Sequence, residues 1–174
     1  VAPGNDTRYS DTKVEACRNF INKLWNASRF VLMNIGDKKI LPIDKVKLAP
    51  ADKWIVSKLQ NCIREVTNNL NKYEMGVAGD IVTDFVWDDF CDWYIEIAKS
   101  RLNGEDKVAA DTARSVLTFV YTNTLVLLHP FMPFITEEIW QSMPHKGEAL
   151  MVSEWPTYNK DFEYAAEEAD FEKV

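Results

Sequence analysis

The chain has 174 residues and a formal net charge of −7, and 47% of it is apolar and 12% aromatic. That length suits one domain with a sizeable core, and no apolar stretch approaches the ~20 residues of a membrane-spanning helix. The opening Val1-Ala2-Pro3-Gly4 lacks a basic region followed by an apolar one, so it does not read as a secretory signal. It also lacks an initiator Met, and the expectation is a segment of a longer chain.

Net acidity argues, at face value, against a nucleic-acid partner, but the charge is unevenly spread. Residues 1–60 hold 11 Lys/Arg and 6 Asp/Glu, a balance of +5, whereas residues 61–174 hold 9 and 21, a balance of −12. Such asymmetry fits a localised face for nucleic acid, or else a surplus dispersed around the fold. Cys17, Cys62 and Cys91 are odd in number, widely spaced and set in apolar helical patterns, so they read as reduced core thiols of a cytosolic protein.

Taken in chain order, residues 1–10 are an irregular lead-in. Thr12 and Glu15 have the spacing of a capping box, predicting a first helix over 13–35 that Gly36-Asp37 stops. At 100° per residue, Ile21, Leu24, Trp25, Ser28, Leu32 and Ile35 form its predicted buried face. Asn19, Asn22, Asn26 and Arg29 cluster on another side. A purely structural helix would show solvent a mixture of Lys and Glu, whereas amides and guanidinium groups read base edges and hold phosphates. Residues 36–50 form a connector that holds Lys38, Lys39, Lys45 and Lys47, with Pro42 and Pro50 precluding a long helix.

A second helix is predicted to begin near Asp52, with a buried stripe at Ile55, Leu59, Cys62, Ile63, Val66, Leu70 and Tyr73, and to break at Gly76. The third, over 77–101, is rich in aromatics, with Trp87, Trp93 and Tyr94 expected in the core, and Asn103-Gly104 ends it. A fourth runs over 107–128. A short fifth follows Pro133, with Glu137 and Glu138 expected in its first turn. His129 has no second His or carboxylate at ligand spacing and reads as structural. The Asp80, Asp84, Asp88 series lacks the Glu-x-x-His pair of di-metal bundles, so no metal is expected. No segment alternates like a strand. The expectation is an all-α, antiparallel helix bundle over 11–157, with 158–174 an acidic tail that begins a linker or a next domain.

Six pieces together resemble one family: Ala2–Arg8, the run NFINKLWNASRFVL at 19–32, Asp52-Lys53-Trp54-Ile55, Trp87–Tyr94, His129–Trp140, and Ser153-Glu154-Trp155-Pro156. They are similar to the anticodon-binding domain of class I aminoacyl-tRNA synthetases. The His129–Trp140 run is shared with isoleucyl and leucyl branches, while NKLWNASRF with FCDWYIEIAK points to the valyl branch. The resemblance implies a helix bundle that reads the anticodon stem-loop of tRNA(Val) for a ligase that charges it with valine. It implies that the nucleotide-binding and editing domains lie upstream. ATP then belongs to that catalytic domain and no cofactor to this segment, which alone catalyses nothing.

By the same resemblance Asn22 and Asn26 occupy positions that meet the anticodon loop; the bland alternative is that they solvate a neighbouring element. Arg29 would hold a phosphate or stack on a base, or else form an ion pair with Asp88 or Asp92. Lys99 and Arg101, at the end of the third helix, would touch RNA or only complement the helix dipole. Lys38, Lys39, Lys45 and Lys47 suit non-specific phosphate attraction, or are ordinary solvated lysines. The expected partners are the tRNA and the catalytic domain of the same chain, in a cytoplasmic monomer with no membrane contact. The rival reading is a protein-interaction bundle without a nucleic-acid role, favoured by the acidic second half.

Overall fold

The computed structural model describes residues 6–173, so Ala2–Asn5 of the lead-in motif lies outside the described residues. Helices α1 (Asp11–Ile35) and α2 (Pro50–Asn71) are followed by a long rod. That rod joins α3 (Met75–Asp84), a π-helical stretch (Phe85–Tyr94) and α4 (Ile95–Leu102) without a break. Helices α5 (Lys107–Leu128), α6 (Pro133–Ser142) and a short α7 (Ala165–Phe171) complete the chain. The described residues contain no strand, so the fold is all-α, as expected.

Long-range pairs fix the directions. The Tyr121 hydroxyl donates to the Leu24 carbonyl and the Arg114 guanidinium to that of Asn34, so α1 and α5 run antiparallel. Asp52 at the start of α2 meets Tyr94 and Arg101 at the end of the rod, so these two are antiparallel as well. The four long elements therefore alternate up and down. One end of the bundle holds the 36–50 connector and the α4–α5 turn. The other holds the start of α1, the α2–α3 turn and α6.

Helix α5 is the central element, packed on α1, α2, α3, α4 and α6. Its burial explains why Thr118 and Thr124 turn their hydroxyls onto the carbonyls of Arg114 and Val120, four residues back: a buried hydroxyl must find an acceptor. Phe90 stacks on Tyr121 with ring centroids 5.4 Å apart, in a core shared with Leu24, Leu59, Val86 and Leu117. Fully burying a side chain of that size contributes ~1.5–3 kcal/mol.

Several local expectations are corrected. Helix α1 starts at Asp11, and Ser10, not Thr12, is its N-cap residue. Its buried face is Phe20, Leu24, Ala27, Ser28, Val31 and Ile35, which leaves Ile21 and Trp25 in solvent. The face is thus turned about 60° from the predicted one. Helix α2 breaks at Tyr73, whose φ of +60° is left-handed, while Gly76 sits inside α3 and Tyr73 itself is exposed. Within the π-helical stretch hydrogen bonds reach five residues back, as from the Ile95 N–H to the Phe90 carbonyl. Trp93 is exposed there rather than in the core, whereas Trp54 and Tyr94 are buried. Because α6 begins at Pro133, Glu137 falls beyond its first turn and instead accepts the Leu150 N–H. Cys17 is exposed rather than buried.

Residues 158–173, expected to begin a linker or next domain, lie along α2. Phe171 stacks on Trp54 at 5.2 Å, Glu167 pairs with Lys53 at 3.2 Å, and Glu168 accepts from Ser57 and Asn61. His129 bonds Thr136 at 2.8 Å, a structural contact between the end of α5 and α6.

The core also predicts an alkaline weakness. Burial, helped by the charge of Asp89, pushes the Cys62 thiol from 9.0 up to about 12, and burial pushes Cys91 up to about 11. Burial raises Tyr94 and Tyr121 too. Each of these groups stays protonated in the fold at a pH where the unfolded chain ionises. Their contribution is therefore whole below about pH 9 and is lost as pH climbs toward the folded values. Melting temperatures scanned from pH 8 to 11 should fall, and Cys62→Ala should flatten that fall. A flat profile would contradict this account.

Candidate nucleic-acid interface

Helix α1 carries no carboxylate from Ala16 through Ile35, although Arg18, Lys23 and Arg29 lie in that stretch. The rotation that brings Phe20, Leu24 and Val31 into the core turns Asn22, Asn26 and Arg29 outward. All three are exposed, and none has a side-chain hydrogen bond or ion pair among the described residues. Asp92, a suggested partner for Arg29, is taken by Lys23 at 2.6 Å. The same ammonium lies 3.8 Å from the centre of the Trp87 ring, so Lys23 clamps α1 to the π-helical stretch.

That clamp forms the lip of a shallow groove between α1 and the rod, about 200 Å³ in volume, lined by Asn26, Ala27, Phe30, Cys91, Ile95 and Lys99. The structure therefore brings together Asn26 and Lys99, 73 positions apart in sequence. Lys99 reaches back to Glu96 at 2.5 Å and lies 5.8 Å from the centre of the Phe30 ring. An amide, an aromatic ring and an ammonium around one apolar floor can hydrogen-bond a planar heterocycle, face it and neutralise an adjoining phosphate. Phe30 was missed in the sequence, where it is one of many aromatic residues in helical patterns. Its spacing of i+4 from Asn26 was the available signal.

Arg101 is placed differently. Its guanidinium donates to the fully buried Asp52 at 2.5 Å and to the Ala109 carbonyl at 3.2 Å, so its donors join α2, α4 and α5. Lys38, Lys39 and Lys47 are exposed without an ion pair among the described residues, and Lys45 pairs only with its neighbour Asp44 at 3.5 Å. These lysines stand at the end of the bundle to which the open side of α1 leads. Among the described residues no group of three or more His, Cys, Asp or Glu is placed to hold a metal ion. No helix there is long and apolar enough to cross a membrane.

The architecture is that of an all-α module whose four long elements alternate up and down. It aligns over 95% of its length, with a TM-score of 0.65 and 19% identity, to 19% of the protein chain in a ternary complex of LeuRS, tRNA and LeuAMS from Agrobacterium radiobacter K84. At that identity the likeness shows the fold. Residues 52–174 match the anticodon-binding domain of tRNA ligase, and the chain belongs to that family. Its sequence is 55% identical over 163 residues to the valine–tRNA ligase of Bacillus thuringiensis subsp. konkukian, and 54% identical over 160 residues to that of Listeria monocytogenes. These alignments cover 93% and 91% of the chain, and in each case 18% of the relative's length.

Proposed function

We propose that the chain reads the anticodon of tRNA(Val) for a ligase that joins valine to that tRNA at the expense of ATP. One observation carries the reading: a long helix edge free of carboxylates presents Asn22, Asn26 and Arg29, without partners among the described residues, next to a groove that holds Phe30 and Lys99. Unstacked loop bases expose the edges that amides distinguish. The similarity to valine–tRNA ligases supports valine as the amino acid. Because the chain spans 18% of those relatives, we place valine activation and ATP in a catalytic domain elsewhere in the same polypeptide. That domain would seat on the far end of the bundle, in an apolar groove of about 830 Å³ floored by Phe20, Met75, Phe131 and Met132. A cytoplasmic monomer remains part of the proposal and rests on the family resemblance alone.

The test is binding of the chain to an anticodon stem-loop RNA with the valine anticodon, and to one with its middle base changed, at moderate salt. Tighter binding of the first is expected; equal binding overturns the reading. Replacing Lys38 and Lys39 with Ala should weaken both RNAs alike and lower the slope of log affinity against log salt by about 1 for each phosphate those ammoniums neutralise. A change in the ratio of the two affinities would move those lysines from general attraction to base readout.

A further inference from the structure

The six tryptophans divide sharply. Trp54 stacks on Phe171, Trp87 on Phe20, Trp140 on His145, and the Trp155 Nε1–H donates to Thr67 at 2.9 Å. Trp25 and Trp93 remain, 44% and 52% exposed, with neither an aromatic stacking partner nor an indole hydrogen bond among the described residues. Trp93 lines a pocket with Asp89, Glu172 and Lys58, where two carboxylates outnumber one ammonium and leave no net attraction for phosphate. Trp25 lies on the carboxylate-free edge, three residues from Asn22 and four from Arg29.

We propose that Trp25 is a stacking platform for a second unpaired base of the RNA loop, held at the opposite border of the strip from the Asn26 groove. This rests on the anticodon-reading function. On a helix roughly 10–12 Å across, successive residues stand about 100° apart, so Trp25 and Asn26 are separated by an arc of about 10 Å. That is about three base steps of ~3.4 Å. A loop lying across α1 thus sets one base in the groove and a base two or three positions away against the indole, with Arg29 between them for the backbone. An indole half in water offers its face to a base at little cost, and the absence of acids along the edge lets the phosphates approach.

Stem-loop RNAs carrying 2-aminopurine at single loop positions test this, since stacking quenches that base. The unsubstituted chain should quench it at one position outside the letter that Asn26 reads. Trp25→Ala should abolish the quench and weaken binding about tenfold without changing the salt slope, and Trp25→Phe should restore most of both. Unchanged quench and affinity in Trp25→Ala, with Asn26→Ala still impaired, overturns the platform and leaves the anticodon reading intact. No binding by the unsubstituted chain removes the reading and the platform together.

Discussion

Replacing Asp52 with Ala should cost about 3–5 kcal/mol of folding stability, read as a fall in the urea midpoint with little change in slope. The carboxylate is fully buried at the third position of α2 and does three jobs at once. Oδ2 accepts the Ala49 N–H at 2.8 Å, an otherwise unpaired donor at the helix start. Oδ1 accepts from the buried Tyr94 hydroxyl at 2.7 Å and from Arg101 at 2.5 Å. Removing it strands a guanidinium that is largely out of solvent and a hydroxyl that is wholly so, and each then bears the cost of lost hydration. Asp52→Asn separates the contributions: it keeps an acceptor for Tyr94 but loses the charge that faces Arg101, so it should fall between wild type and Asp52→Ala. A loss below about 1 kcal/mol for the Ala variant would mean that water or another acceptor replaces the carboxylate.

The same cluster shows where sequence reasoning stops. Helix α5 was legible because apolar residues recur at helical spacing, and its start carries a local signal the sequence reading did not use: Asp106 caps the Val108 and Ala109 N–H groups. The exposed character of Asn22, Asn26 and Arg29 was legible for the same reason, since an amide-rich strip on a helix with an apolar opposite side faces outward. Arg101 was not. Its partner Asp52 lies 49 residues away, and nothing local distinguishes a cation awaiting phosphate from one that closes a buried ion pair. The orientation of α1 escaped as well, because apolarity says that a side chain can be buried, not that a neighbour covers it. Ile21 and Trp25 are as apolar as Phe20 and Leu24, but only the latter pair faces another helix. The π-helical stretch was equally hidden: Val86, Phe90 and Tyr94 recur every four residues, a spacing that α and π hydrogen-bond registers both accommodate.

Asn26→Ala should remove most of the chain's discrimination between the valine anticodon and one changed at a single letter. A well-placed amide that both donates to and accepts from a base edge separates right from wrong bases by ~1–3 kcal/mol, about 5- to 150-fold in affinity ratio. Asn26 has the geometry for that role: it is exposed, lacks a hydrogen-bond partner among the described residues, and borders a groove with the Phe30 ring on its floor. Asn22 stands one turn earlier on the open edge and outside that groove, so Asn22→Ala should cost less discrimination than Asn26→Ala. Asn26→Asp sharpens the test. A carboxylate only accepts, so preference should shift toward a base that presents a donor at that edge, while phosphate repulsion weakens every RNA. Equal affinity ratios for wild type and Asn26→Ala would assign the readout to another residue of the groove, with Lys99 and Phe30 the next to replace.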